Sequence, residues 1–332
     1  MITTQLKTRL SFALSLSLST IALVLSSTGA ALAQTYPNRP LRLVVPFAPG
    51  GGADIVARAL ATPLSKRLGQ TVLVDNKPGG GATIGADFVA KAPADGYTLL
   101  YTTPGVQMTN PYLMAKLPYD PVTDLVTVSQ LAVVPSVLVV HKSLPVENVK
   151  ELIQYARANP GKLTFASPGI GSTAHLAGEL FKHTTKIDIV HVPYRGSGQA
   201  LQDLVGGNVS MAIDSLAVYQ PYIDSGMLKP LGVSSKERSP TLPNVRPIAD
   251  DLPGFDASPI NYITVRGGTS KEIIDRLNRE INAVISSAEF KNYLLSKGVV
   301  PKGSTPEEMA ALVQSESVKW KQVIQISGAR AE

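Results

Sequence analysis

The sequence predicts an α/β fold built as two lobes with a ligand cleft between them. Short apolar strands alternate with helices from Leu41 onward, a rhythm that produces largely parallel sheets flanked by helices. About 300 residues remain beyond the N-terminal segment, which is long for one α/β core. An apolar run at 131–141, interrupted by Pro135, has the length to cross from one lobe to the other.

The N-terminal segment has the features of a secretory signal peptide. Lys7 and Arg9 precede an apolar run at 10–25, and an alanine–leucine–alanine cleavage pattern follows at 31–33. A membrane anchor is the alternative, but several serines interrupt the run and a cleavage pattern ends it. We therefore expect residues 1–33 to be removed and the mature protein to be exported and soluble.

Charge and composition exclude several classes of site. Without Lys7 and Arg9 the formal net charge falls from +6 to +4, with no basic cluster, which argues against nucleic acid as a partner. The chain has no cysteine, so disulfides, thiolate metal sites and cysteine nucleophiles are excluded. Its four histidines show no paired metal-ligand spacing. We expect neither a metal nor a cofactor.

The alternation resolves into definite elements. Strands are predicted at 41–45, 72–74, 97–102, 163–166, 189–192, 210–214 and 228–234. Helices are predicted at 54–68, 83–91, 147–158, 173–184, 199–205 and 216–224. The proline-rich stretch 235–259 then marks a return of the chain. We expect a discontinuous lobe 1 at 34–134 and 245–332, and lobe 2 at 135–244.

Two C-terminal helices follow, each opened by a predicted capping box. The boxes start at Thr269 and Thr305, and Pro306 occupies the first helical position of the second helix. Trp320 belongs to the apolar face of that second helix, so we expect it in the core rather than on a ligand platform. The rest of that face consists of Met309, Leu312, Val313 and Val323.

A glycine-rich loop between the first strand and the first helix is the strongest functional signal. Residues 46–54, with the letters PFAPGGGAD, join the two elements directly. Glycines let the backbone approach a ligand closely, and a helix N-terminus offers unpaired N–H groups with a partial positive charge. This combination binds anions without a lysine or an arginine.

Two further strand–glycine–helix loops lie at 167–173 and 193–198. Ligands in such folds lie beyond the carboxyl ends of the strands. We therefore expect three helix N-termini to converge on one cleft. Ser172 and Thr173 supply hydroxyl donors there, or one of them caps the helix, and the two roles are compatible.

Two enzyme interpretations are weaker. The loop 79–85 has glycine spacing that resembles a dinucleotide site, but no acidic residue follows at the usual distance, so we expect a turn near the cleft rim. Ser172, His175 and Asp214 supply the residue types of a hydrolase triad. However, the serine and the histidine share one helical turn, and no G-x-S-x-G elbow exists. We expect Asp54 and Asp214 to brace loops or to accept from a ligand amine or hydroxyl.

The same loops carry a family resemblance that covers nearly the whole mature chain. Its marks are the segments 46–54, 76–85, 95–100, 165–179, 191–196 and 203–207. Through them the chain resembles the Bug-type extracytoplasmic solute receptors of tripartite tricarboxylate transporters. The resemblance implies a type II-like periplasmic binding protein fold that closes around a small organic carboxylate. It also implies a periplasmic monomer without enzyme activity that delivers its ligand to a permease with a large and a small subunit.

The resemblance also implies which residues bind the ligand. Loops matching 46–54 and 169–175 hold carboxylates in the family, largely through backbone N–H groups and bridging water. The expected ligand-binding residues are Phe47, Ala48, Pro49, Gly50, Gly51, Gly52, Asp54, Thr102, Thr103, Gly169, Gly171, Ser172, Thr173, His175, Tyr194 and Asp214. The chain departs from the family pattern at Arg246, Ile260 and Arg266, by the hinge and return strands. A secreted serine hydrolase and a ligand sensor for a membrane signalling system are the alternatives.

Overall fold

Two mixed β-sheets with flanking helices organise the described part of the chain, residues 36–194 and 196–331 of a computed structural model. The expected signal peptide, 1–33, and Arg195 of the third glycine loop lie outside those residues. The strands are β1 Leu41–Val45, β2 Val72–Asn76, β3 Thr98–Thr102, β4 Leu125–Val133, β5 Ser136–His141, β6 Leu163–Ser167, β7 Ile189–Pro193, β8 Met211–Ser215, β9 Leu228–Val233, β10 Ile260–Arg266 and β11 Val300–Pro301. The helices are α1 Gly52–Leu68, α2 Thr83–Ala90, α3 Asn110–Leu113, α4 Val149–Ala158, α5 Thr173–Thr185, α6 Ser197–Val205, α7 Leu216–Asp224, α8 Lys271–Ile285, α9 Ala288–Ser296 and α10 Pro306–Ser327.

The first sheet has the strand order β11-β4-β10-β3-β1-β2 within the described residues. β1 pairs in parallel with β2 and β3, whereas β10 runs antiparallel to β3 and β4. Strands β1 to β4 therefore all point the same way, as the predicted parallel sheet requires. The carboxyl ends of β1 and β3 meet at one edge, and this brings the loop after β1 beside the residue that follows β3.

The second sheet has the order β7-β6-β8-β5-β9 in the same described part. β6, β7 and β8 are parallel, while β5 runs antiparallel to its neighbours β8 and β9. β8 is the central strand and β7 is an edge strand. This order decides which of the following helices can begin near the centre of the molecule.

The apolar run at 131–141 connects the two sheets. Its first part belongs to β4 and its second part to β5, with Val134 and Pro135 between them. Proline has no N–H to donate to a ladder, so it suits the point where one sheet ends and the next begins. Its carbonyl instead accepts from the N–H of Leu216 at 3.1 Å. The lobe boundaries at 134 and 244 stay a prediction.

Local sequence signals account for most element ends. Each predicted strand and helix up to Val233 is found within two residues of its expected bounds, and Ser270 rather than Thr269 caps α8. The predicted cap was wrong by one residue because the Thr269 hydroxyl donates to the carbonyl of Arg266, 2.7 Å away. The second capping box is confirmed, since Thr305 and Glu308 exchange bonds of 2.9 and 3.1 Å.

The prediction that Trp320 is a core residue is also confirmed. It is 4% exposed and packs in a cluster with Met309, Val323 and Phe181. Leu312 and Val313 are half-buried against the same cluster. α10 packs against β4 of the first sheet and against α5, which in turn packs on β6 and β8 of the second sheet.

Candidate functional site

A cavity of about 930 Å³ lies where connections of the two sheets meet. The loop after β1 and the first turn of α1 form one wall. Connections of the second sheet, chiefly the start of α7, contribute a further part of the lining. The other lining positions are 103, 134, 173, 241, 259, 261 and 296–299.

Asp54 holds the glycine loop after β1 in shape. Its carboxylate accepts from the Gly50 N–H, from Arg58 Nε and from Asn76 Nδ2, each at 2.9 Å. The hydrogen bond from Arg58 is the largest of the effects that lower the pKa of Asp54 to about 2. Asn76 also donates to the Phe47 carbonyl at 3.0 Å, so both ends of the loop are tied down. The carboxylate therefore braces the loop, one of the two roles expected for it.

The bracing leaves backbone donors free at the cavity wall. Within the described residues, the N–H groups of Gly51, Gly52 and Ala53 have no acceptor, as expected for the first turn of a helix. These three residues line the cavity, and Gly51 has ordinary backbone angles of −77° and 168°. The helix dipole adds partial positive charge at the same point. This wall is therefore suited to an anion.

The loop before α5 is built on a pair of stacked histidines. Ser172 caps the helix by accepting from the His175 N–H at 3.2 Å, and its hydroxyl donates to the Gly169 carbonyl at 2.7 Å. The His175 ring accepts from the Gly171 N–H at 3.0 Å through Nδ1. It also stacks on His191, with ring centroids 4.0 Å apart. Ser172 is thus the predicted N-cap.

Burial keeps both rings neutral near neutral pH. It lowers the pKa of His175 to about 4. Burial lowers the pKa of His191 to about 4, and repulsion from the protonated form of His175 and from Lys182 adds to this effect. A neutral His175 that accepts through Nδ1 carries its proton on Nε2. The ring therefore supports the loop through its hydrogen bond with Gly171 and does not line the cavity. Thr173 is the residue of this loop that lines the cavity.

Several predicted site residues lie away from the cavity surface. Thr102 is fully buried, and its hydroxyl lies 2.8 Å from that of Thr264 inside the first sheet. The Tyr194 hydroxyl donates to the Asp203 carboxylate at 2.6 Å. Burial raises the pKa of Tyr194 to about 12, and the hydrogen bond to Asp203 and the charge of that carboxylate add to the effect. Asp214 is buried, which raises the pKa of its carboxyl. Gly169, Gly171, Ser172 and His175 shape their loop without lining the cavity.

The third helix N-terminus at the cavity is not the one expected. The loop 193–198 was expected to converge on the cleft, but its described residues do not line the cavity. The reason is strand order: β7, which precedes that loop, lies at the edge of its sheet, whereas β8 is central. The helix after β8, α7, therefore takes the place, with Ser215, Leu216 and Ala217 at the cavity.

The comparisons with known proteins identify the family. A family model described as the tripartite tricarboxylate transporter family receptor, TctC, matches residues 56–329. This chain belongs to the TctC family. Protein BugT of Bordetella pertussis is 38% identical over 94% of this chain and 98% of its own length.

Solved structures agree with this TctC assignment. Rpa4515 of R. palustris, solved with adipate, is 39% identical and has a TM-score of 0.78, with 89% of this chain and 99% of that chain covered. MatC of Rhodopseudomonas palustris, solved with bound malate, is 31% identical and has a TM-score of 0.73, with 87% and 100% covered. Both of these relatives hold a carboxylate. Among the described residues, no helix has the length and apolar character of a membrane span.

Some cavity residues of this TctC receptor were missed by sequence reasoning. The largest group starts α7: Ser215, Leu216, Ala217, Gln220 and Pro221. The signal was present, since a strand ends and a helix begins there, but the junction contains no glycine. Asn261 on β10 and Lys297 after α9 were missed because neither β10 nor α9 was assigned from the sequence.

The geometry does not assemble the hydrolase triad that the residue types allowed. The Ser172 hydroxyl contacts the backbone of Gly169 and His175, not the imidazole ring. The Nδ1 atom of that ring accepts a hydrogen bond from the Gly171 N–H. Asp214 Oδ1 accepts from the Ser215 N–H at 2.7 Å. Within the described chain no hydrogen bond links Asp214 to His175. A serine nucleophile needs such a base in contact with its hydroxyl.

Proposed function

We propose that this protein is a receptor outside the cytoplasmic membrane that captures a small organic carboxylate in the cavity. The observation that carries the proposal is the start of α1, where Gly51, Gly52 and Ala53 turn unpaired N–H groups to the cavity wall. Such groups form charge-assisted hydrogen bonds with a carboxylate. Removal of water from the site would strengthen these bonds.

The remaining lining supports a ligand with an apolar body. Phe47, Val134, Leu216 and Val299 present apolar side chains, between a few polar groups such as Thr103. A short aliphatic carboxylate matches this lining, with its charge at α1 and its methylene groups on the apolar residues. Adipate and malate, the ligands of the two solved relatives, are therefore the first candidates for this chain.

The predicted ligand residues divide into two roles in this proposal. Residues 47–52, Thr103 and Thr173 would contact the ligand or its bridging water. Asp54, Ser172 and His175 would act indirectly, because their polar atoms already hold the two loops. Closure of the lobes would bring the start of α7 toward the anion held at α1.

The place and partner of the receptor belong to the same proposal. The TctC family is a periplasmic receptor family, and the predicted signal peptide at 1–33 supports export to the periplasm. The partner would be the two-component permease of a tripartite tricarboxylate transporter, served by a monomeric receptor. Receptor function without catalysis is favoured because Ser172 serves as a cap and loop donor.

A thermal-shift screen tests the proposal. Mature protein is unfolded and refolded to remove any co-purified ligand, then scanned with a panel of mono-, di- and tricarboxylates. Ligands that bind only the folded state raise the midpoint in proportion to the logarithm of their concentration. A rise with one group of carboxylates is expected. No response to any member of the panel would contradict the proposed function.

A further inference from the structure

Two cavities lie on opposite faces of the strands that cross between the sheets. Val134, Pro259 and Asn261 line the cavity described above, whereas Val133, Ser258 and Ile260 line a second cavity of about 470 Å³. Successive side chains of an extended strand point to opposite faces. The alternation of the two linings therefore places the side chain of Asn261 on the same face of the sheet as the loop after β1, called the α1 loop below.

Asn261 presents to that cavity an amide that has no hydrogen-bond partner among the described residues. The residue is 7% exposed, and its side chain makes no hydrogen bond within residues 36–194 and 196–331. The amide atoms of Asn261 stay accessible to water in the cavity. A polar ligand group could replace that water and bond to the amide directly. Gln220, another amide of the lining, donates from Nε2 to Asp224 at 2.8 Å, while its Oε1 is buried without a partner among the described residues. Asn261 is therefore a nine-tenths buried polar group without a protein partner, at a cavity suited to an organic anion.

Strand order sets the separation between Asn261 and the α1 loop. β1, β3 and β10 are consecutive neighbours in the first sheet, and Tyr262 of β10 pairs with Thr102 of β3. Asn261 is thus beside Thr103, two strand spacings from the loop after β1. Two spacings amount to roughly 9 to 10 Å. This span suits a short dicarboxylate that makes a hydrogen bond at each end.

We propose that the Asn261 amide is the second recognition point of the ligand and selects a carboxylate with another oxygen-bearing group at its far end. The proposal rests on the proposed carboxylate function and adds the residue that reads the far end. The amide N–H groups donate to the distal oxygen, while the α1 loop holds the proximal carboxylate. A ligand with an apolar end would leave Asn261 unpaired, and such mismatches reduce affinity strongly.

Isothermal titration with adipate and hexanoate tests this role. The two ligands share a six-carbon chain, and hexanoate lacks the distal carboxylate. Mature refolded protein should bind adipate at least about tenfold more tightly than hexanoate. Asn261→Leu should weaken adipate binding by roughly 10- to 100-fold and change hexanoate binding by less than about threefold. Asn261→Asp, which keeps the shape and adds a like charge, should also weaken adipate more than hexanoate.

Gln130→Leu is the matched control. Gln130 is 2% exposed, pairs across the ladder with Tyr262, and lines the second cavity without a side-chain hydrogen bond in the described chain. Its replacement should leave both affinities unchanged. Equal losses of both ligands in Asn261→Leu, or no loss in a variant with an unchanged melting temperature, would overturn the assignment of Asn261. Failure of the unmutated protein to bind any carboxylate would instead overturn the proposed function, and this inference with it.

Discussion

Single residues hold the loop after β1, which we propose binds the anion, in place without contacting a ligand themselves. A Cβ built on Gly85 would lie 2.8 Å from Pro46 Cβ, 3.0 Å from Pro46 Cα and 3.2 Å from the Lys77 carbonyl. Gly85 therefore allows α2 to pack directly against the start of the loop after β1. This packing explains why the last residue of the 79–85 motif is glycine, and the explanation does not require a bound nucleotide.

Replacement of Gly85 by alanine should damage both packing and binding. We expect Gly85→Ala to lower the free energy of unfolding by about 1–3 kcal/mol, because Pro46 and its backbone must move. The same displacement should weaken carboxylate binding. Chemical denaturation and titration calorimetry measure the two effects. Gly198→Ala in α6 is the control, since no atom lies within 4 Å of its built Cβ and alanine favours helix. Equal destabilisation in both variants would contradict the packing explanation.

The sequence alone could not distinguish the roles of two neighbouring threonines at the end of β3. Thr102 and Thr103 were both expected at the ligand, but neighbouring residues of a strand face opposite ways. Thr103 lines the cavity, while Thr102 pairs with Thr264 in the sheet. Without the partner strand β10, no signal in the sequence distinguished the two.

Two elements hold the stacked histidines next to the loop before α5: His175 belongs to α5 and His191 belongs to β7. The His191 ring lies 4.8 Å from Phe165 and 4.0 Å from His175, and its Nε2 is 2.7 Å from the Ser167 hydroxyl. The strands β6 and β7 and the helix α5 thus share one ring stack, in which Phe165 and His175 are buried and His191 is half-buried. Glu179 lies near it, with Oε1 3.9 Å from His175 Nε2, and burial raises the pKa of that carboxyl.

The histidine stack should make stability depend on mildly acidic pH. The folded pKa values of about 4 lie below the ordinary value of 6.5, so the unfolded chain binds more protons between those values. Stability is therefore full above about pH 6.5 and falls as the pH decreases toward 4. Asp54 contributes in a lower window, because its pKa is lowered from 3.8 to about 2. Thermal melts at pH 7 and pH 4.5 measure the loss.

Variants isolate the contribution of the stack. The double substitution His175→Asn and His191→Gln keeps acceptors near Gly171 and Ser167 and removes the titrating rings. The difference in melting temperature between pH 7 and pH 4.5 should shrink in that variant. It should be unchanged in His183→Gln, where the histidine is exposed. An unchanged difference in the double variant would mean that other groups cause the pH dependence.

Strand order explains why the sequence predicted the strands and helices better than it predicted which helix N-termini meet at the cavity. The glycine loop at 193–198 resembles the other two, yet it follows an edge strand, β7. The junction at Ser215 has no glycine but follows the central strand of the same sheet, so its helix reaches the cavity. Strand order depends on pairing between distant segments, and local patterns do not contain it.

In the molecule as a whole, the connections between two sheets joined by crossing strands line a cavity that suits an anion. The apolar run at 131–141 predicted the crossing, because proline divides it between β4 and β5. The return through β10 was not assigned as a strand, and Asn261 was missed for that reason. The loop after β1, in contrast, was predicted from its glycines and is at the cavity wall.

Titration calorimetry with Gly51 variants tests the central claim most directly. Gly51 has an ordinary backbone φ of −77°, and the nearest atom to its built Cβ is the Ala48 carbonyl oxygen at 3.5 Å, so both variants should fold. Gly51→Ala keeps the N–H groups and should retain binding of the best carboxylate from the screen. Gly51→Asp places a like charge at the start of α1 and should abolish it with an unchanged melting temperature. Normal affinity in Gly51→Asp would contradict capture of the anion at the α1 loop.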